Sequence, residues 1–183
     1  MTRMHAPEDI INHIREMRAF AVSLAKHQSL ADDLVQDALE KAWKNFHLFK
    51  DGTNLRAWLI TILRNTYYSQ MRKFNREQQM DSYAAENIAD KPSQDGHLKL
   101  AELKIAFESL SDEHREALML VGVLGFSYQE AAEACGVAVG TIKSRAARAR
   151  TRLAKQTGHE NHDATDVATL SIMAAGQDLA GRA

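Results

Sequence analysis

Between Thr141 and Lys155 the sequence carries six cations and no acid: Lys143, Arg145, Arg148, Arg150, Arg152 and Lys155. Wound as a helix at about 100° per residue, this segment sorts its side chains by face. With Ile142 as origin, Ala146, Ala149 and Leu153 fall on one apolar stripe, while Ser144, Ala147, Arg148 and Thr151 point the other way. Lys143, Arg145, Arg150 and Arg152 flank the stripe. A helix with a small, polar and basic outer face suits the major groove of duplex DNA, where an arginine can read guanine while flanking cations hold phosphates. Arg148 is placed for the guanine role, and Ser144 or Lys143 for a base edge or phosphate. The chemistry expected is recognition rather than bond making. A helical hairpin with a solvated basic face is the alternative.

What precedes this helix favours the DNA reading. Ser127 and Glu130 have the spacing of a capping box that opens a helix. Ala131 is small where two helices would approach closely. Gly136 stands where a tight interhelical turn needs positive φ. Val137 and Ile142 are spaced to close a small core. Together, residues 127–145 read as a helix-turn-helix.

Two further clusters lie upstream. From Ser29 to Glu40 there are four acids, Asp32, Asp33, Asp37 and Glu40, and no lysine or arginine. Helical spacing turns Asp33, Gln36, Asp37 and Glu40 to one side, a face that can dock on a basic or polar protein surface or simply solubilise the helix. Nothing nearby supports carboxylate catalysis or metal binding by Asp33 and Asp37. The third cluster mixes cations and aromatics: Arg56, Arg64, Asn65, Tyr67, Tyr68, Arg72, Lys73 and Arg76. Such a mixture suits single-stranded DNA, with bases stacking on rings and phosphates meeting cations. Tyr67 and Trp58 also read as core aromatics. The loop Phe46 to Asn54 is positioned to rim a pocket for an extruded base.

The elements that must hold these residues are helices. In a chain of 183 residues only Pro7 and Pro92 interrupt them, and apolar residues make up 45% against 26% charged. Ile11, Ile14, Met17, Ala21, Leu24 and Ala25 predict a first helix. Ser29 with Asp32 predicts the cap of a second, striped by Leu34, Val35, Ala38, Leu39, Ala42, Trp43 and Phe46. Asp51-Gly52 is a turn, and a third helix runs from about Leu55 to Lys73. Residues 76–98 are polar, hold Asp90-Lys91-Pro92-Ser93, and read as a flexible linker. The expectation is an all-α chain of two small helical domains, 8–75 and 99–156, with a tail at 157–183 whose role the sequence does not indicate.

Net charge is −1, so partner choice rests on the segregation of charge rather than on its sum. Cys135 is the sole cysteine, which excludes an intrachain disulfide and fits a reducing compartment. The first eleven residues do not resemble a signal peptide, and no apolar run reaches a membrane span, so a cytoplasmic location is expected. The eight histidines are dispersed, and no nucleotide loop or metal cluster is present; an enzyme is the least supported class and no cofactor is expected.

Asp33-Leu34-Val35-Gln36-Asp37, Lys41-Ala42-Trp43, Leu55-Arg56-Ala57-Trp58-Leu59-Ile60 and Arg64-Asn65 resemble the first conserved domain of extracytoplasmic-function (ECF) sigma factors. Arg115-Glu116-Ala117-Leu118, the run Gly125 to Ala132 and the run Val139 to Arg145 resemble the second. The segment from Cys135 to Arg145 is similar to the EcfG-like, general-stress-response group. The resemblance covers roughly residues 8–156 and implies a subunit that gives core RNA polymerase its promoter choice. By motif position, Asp33, Gln36, Asp37 and Glu40 would meet the β′ clamp helices, and the second domain the β flap. Arg56, Arg64, Asn65, Tyr68, Arg72 and Lys73 would serve the melted −10 element. Lys143, Ser144, Arg145, Ala147 and Arg148 would serve the duplex −35 element. An anti-sigma factor is the implied regulator, and the free protein would be a monomer without a membrane partner. Ser111 stands where the family often has proline, and serine there can still cap a helix. A stand-alone helix-turn-helix regulator would require dimerisation, for which no heptad is present. A sigma-like decoy would lack a competent DNA face.

Overall fold

The structure, a computed structural model, describes residues 7–80 and 98–157, and among these every regular element is helical. A 3₁₀ segment, Pro7–His13, leads into α1, Ile14–Ala25. Then come α2, Gln28–Lys44, and α3, Leu55–Met80. The second half holds α4, Leu98–Glu108, α5, Asp112–Leu118, a π-type turn, Met119–Val123, α6, Tyr128–Cys135, and α7, Val139–Thr157. Helix α3 runs past the boundary expected at residue 75. The remaining linker expectation, 81–97, and the tail from 158 onward lie outside the described residues.

The first module is a three-helix unit, α2 packing against both α1 and α3. Its core is built from Met17, Phe20 and Leu24 of α1, Leu34 and Ala38 of α2, and Leu55, Leu59 and Leu63 of α3. The stripe on α2 holds at Leu34, Val35, Ala38 and Ala42, but Trp43 turns out of it and is 58% exposed. Ile11 is likewise exposed, because the chain there is 3₁₀ and its three-residue period rotates the side chain off the core face. Nor does Ser29 cap α2. The helix begins one residue earlier, at Gln28, and Asp32 is drawn instead to Arg18 of α1, Nε to Oδ1 2.6 Å.

In the second module α7 packs on α4, α5 and α6. Ile142, Ala146, Ala149 and Leu153 form the buried stripe that the spacing predicts. Arg115, fully buried, donates to the carbonyls of Glu108 and Leu110 and to Asp112. It thereby satisfies carbonyls at the end of α4 and fixes the entry to α5. Ser111 occupies the N-cap position of α5, yet its side chain makes no capping bond. The two modules are not separate in space. Helices α1 and α3 pack against α5, the π-type turn and α6, and buried apolar side chains of both halves form one contiguous cluster.

Candidate nucleic-acid interface

The helix-turn-helix forms as its local chemistry requires. Glu130 N–H donates to Ser127 Oγ at 3.1 Å, and Ser127 N–H donates to Glu130 Oε2 at 2.8 Å, completing the capping box of α6. Gly136 ends α6 at φ +66°, a left-handed conformation that lets the chain turn into α7. On α7, Lys143, Ala147, Arg148 and Thr151 are exposed, with Ser144 half-buried among them. Ser144 Oγ donates to the Thr141 carbonyl at 2.9 Å, and Lys143 Nζ lies 5.7 Å from the Tyr128 ring centre. Arg145 departs from the group. It is 17% exposed and paired with Glu113 of α5 at 3.0 Å, so it braces α7 against α5 rather than facing outward.

On α2, Asp33, Gln36, Asp37 and Glu40 are exposed along one face. Asp37 accepts a hydrogen bond from Gln70 of α3 at 2.8 Å. Trp43 lies three residues beyond Glu40 and seven beyond Gln36, so it continues this face as an apolar centre. By spacing Trp43 reads as part of the core stripe; its position at the edge of that stripe is what turns it outward.

The candidates on α3 divide into two groups. Asn65 and Arg72 open onto a cavity of about 440 Å³, lined also by Lys41, Asn45, Trp58 and Ile62. Trp58 is wedged there edge-on to Phe46, with 6.1 Å between ring centres, and 5.4 Å from Phe49. Lys41 is held by Thr66 Oγ1 at 3.2 Å. Its place in this cavity is not signalled by the spacing of α3. Lys73 is exposed, 3.9 Å from Glu77.

Arg56, Arg64 and Tyr68 lie elsewhere, toward the second module. Arg56 Nη2 donates to the Leu124 carbonyl, its guanidinium stacks 4.5 Å from the Phe126 ring centre, and its Nε is 2.6 Å from Glu16. Arg64 Nε donates to Glu116 Oε1 at 2.5 Å and its guanidinium lies 4.7 Å from the Tyr68 ring centre. Glu116 is 1% exposed and Arg64 19%. Burial pushes the Glu116 carboxyl above its ordinary range, against the opposing pull of Arg64. Burial also depresses Arg64, but the charge of Glu116 overrides it and the guanidinium ends more strongly protonated. The Cys135 thiol beside this pair is pushed up to about 12 by burial and by the neighbouring carboxylate. Tyr67 OH donates to Asp112 Oδ2 at 3.3 Å, and burial, then the charge of Asp112, raises its phenol to about 12.

Two family models match this layout, Sigma-70 region 2 over residues 10–77 and Sigma-70 region 4 over residues 100–153. The chain is 48% identical to the ECF RNA polymerase sigma factor EcfG of Rhodopseudomonas palustris (strain TIE-1), over 80% of this chain and 81% of that protein. This chain belongs to the ECF sigma factors. A sigma factor also provides a solved structure of the same shape. The sigma factor RpoE, crystallised with the anti-sigma factor NepR from Bartonella quintana, is 48% identical with a TM-score of 0.74, over 84% of this chain and 97% of that one. CnrH, solved with the cytosolic domain of CnrY, shares the fold at a TM-score of 0.58 and 23% identity, over 84% of this chain and 88% of that one. Within the sigma factor described here, region 2 is thus the α1–α3 module and region 4 the α4–α7 module. Among the described residues no helix is long and apolar enough to cross a membrane.

Proposed function

We propose that this ECF sigma factor binds core RNA polymerase in the cytoplasm and directs promoter-specific initiation without itself catalysing a reaction. An anti-sigma factor holds it in check as part of a stress response. The observation that carries this reading is the presence, on different modules of one chain, of an exposed basic recognition helix and an exposed acidic helix face. The first suits duplex DNA and the second a protein partner.

Region 4 reads the duplex −35 element. Arg148 and Lys143 present cations outward from α7, and Ser144 and Ala147 keep the contact surface low enough for close approach. Region 2 docks on the polymerase through Asp33, Gln36, Asp37 and Glu40, with Trp43 as the apolar anchor of that face. The cavity between α2 and α3 receives an unpaired base of the −10 element. Trp58 supplies a ring wall, Asn65 a hydrogen-bonding amide, and Lys41 and Arg72 charge for the flanking phosphates.

Core polymerase, the purified chain and a library of randomised promoters test the reading together. Transcripts should start at a fixed distance from two recovered sequence blocks. A chain that shifts duplex DNA alone and never supports initiation with the core enzyme would be a stand-alone regulator instead.

A further inference from the structure

Helix α7 carries a stripe of positive charge toward its C-terminal end. Arg148, Arg152 and Lys155 stand at i, i+4 and i+7, within about 60° of one another around the helix, and all three are exposed. At about 1.5 Å per residue the stripe is about 10 Å long. Like charges at this spacing repel each other. Among the described residues the acid paired with α7 is Glu113, and it is held by Arg145. No other carboxylate of the described residues reaches the three cations within ion-pair distance.

The sequence supplies acids directly after the helix. Helix α7 ends at Thr157, and the next residue is Gly158, the type that most easily reverses a chain at a helix end. Residues 158–183 hold four acids, Glu160, Asp163, Asp166 and Asp178, against one cation, Arg182. The first three recur at every third residue. Extended, the stretch from Glu160 to Asp166 spans about 20 Å, enough to cover the stripe. Continuing along the axis would set Glu160 against the negative end of the α7 dipole, whereas doubling back sets it beside cations.

We propose that the acidic segment after α7, centred on Glu160, Asp163 and Asp166, lies back along the Arg148–Arg152–Lys155 stripe and competes there with the phosphates of DNA. The contact rests on charge and tethering alone; its competition with DNA rests on the reading of α7 as the duplex-contacting helix. Exposed ion pairs are individually weak, but the short tether holds the segment at an effective concentration on the order of millimolar. A duplex presents one phosphate charge per about 1.7 Å of axis and displaces the segment as it displaces counterions. Displacement lowers affinity for any duplex by a common factor. Random sequence, held by phosphates without base contacts, therefore drops out of the working range first.

The test compares the full chain with the triple variant Glu160→Gln/Asp163→Asn/Asp166→Asn. A charge-matched control, Glu86→Gln/Asp90→Asn/Asp95→Asn, removes three acids from residues 81–97 instead. The Nε–H NMR signals of Arg148 and Arg152 report the contact, and fluorescence anisotropy with a random-sequence duplex reports the competition. The segment variant should move both arginine signals and bind the duplex about threefold or more tightly at low salt, the gain fading as salt screens the charges. The control should leave the arginine signals in place. In an Arg152→Gln/Lys155→Gln background, neutralising the segment should yield about half that gain or less.

Arginine signals that stay put in the segment variant would overturn the contact and leave the DNA reading of α7 standing. Signals that move only as protein concentration rises would put the segment of a second copy on the stripe and overturn the intramolecular contact. Equal gains in affinity from the two triple variants would reduce the effect to net charge and overturn the proposal. Signals that move while no variant binds the duplex would overturn the competition together with the DNA reading of α7, and the contact itself would stand.

Discussion

Asn54, just ahead of α3, donates to Glu130 Oε1 of α6 at 2.7 Å, so the carboxylate that caps the helix-turn-helix is also held by the other module. Its second oxygen accepts from the Ser127 backbone at 2.8 Å. These bonds, first that backbone N–H, then the Ser127 side chain and Asn54, keep the Glu130 carboxyl below its ordinary range. The folded chain therefore binds this proton less readily than the unfolded one. The resulting stability is complete above the ordinary carboxylate pKa of about 4.3 and is lost as pH falls through the lower folded value. Thermal melts across that acid range should fall more steeply for the wild type than for Glu130→Gln. Parallel slopes would show that the carboxylate charge contributes nothing.

Much of this arrangement is legible in the residues alone. The stripe Ile142, Ala146, Ala149 and Leu153 is legible because α7 is long and its period is regular. Ser127 with Glu130 and Gly136 is legible because caps and positive-φ turns are local chemistry. Ser29 with Asp32 has the same spacing and does not cap, since Arg18, fourteen residues away, takes the carboxylate. Arg56 and Arg64 mark the limit of such reasoning. Their partners stand 68 and 52 residues along the chain, across a module boundary. Nothing in the spacing of α3 distinguishes an arginine that faces DNA from one that faces another domain.

Two glycines of the helix-turn-helix should respond oppositely to alanine. At Gly136 an added Cβ would meet nothing within 4 Å, so the cost comes from the backbone, held at φ +66°. Gly136→Ala should lose about 1–2 kcal/mol in denaturant unfolding. Gly140 also has open space for a Cβ, and it lies within α7 without a positive φ. Gly140→Ala should gain about 0.5–1 kcal/mol by the difference in helix propensity. A loss at Gly140, or no loss at Gly136, contradicts the geometry described for this turn.

Trp43 offers a clean separation of folding from partner binding. More than half of its surface is exposed, and the α2 core beneath it is made by Leu34, Ala38 and Ala42. Trp43→Ala should change unfolding free energy by no more than about 0.5 kcal/mol. It should weaken binding to core polymerase by about 2 kcal/mol or more if it is the anchor of the docking face. Fluorescence-detected titration with core enzyme, beside a denaturant melt, checks both. A stability loss with unchanged affinity would return Trp43 to the core.

Arg145 and Arg148 are three residues apart on one basic helix, and their surroundings give them opposite duties. Arg148 is exposed on the outward face, where a guanidinium has reach to a base edge. Arg145 is mostly covered and paired with Glu113. Arg148→Ala should leave the melting curve in place and reduce discrimination between cognate and mismatched −35 sequences by about 1–3 kcal/mol, the loss confined to one base position. Arg145→Ala should do the reverse. Its ion pair is partly exposed, so stability falls by at most about 1 kcal/mol, and the rank order of promoters is unchanged. Glu113→Gln supplies the decisive comparison, because it removes the same pair from the side that cannot touch DNA. If Arg145 acts by bracing α7 against α5, the two variants match in stability and in promoter preference. If Arg145→Ala alone alters which base is preferred, its guanidinium leaves Glu113 when DNA is bound, and the recognition surface is wider than the free chain presents.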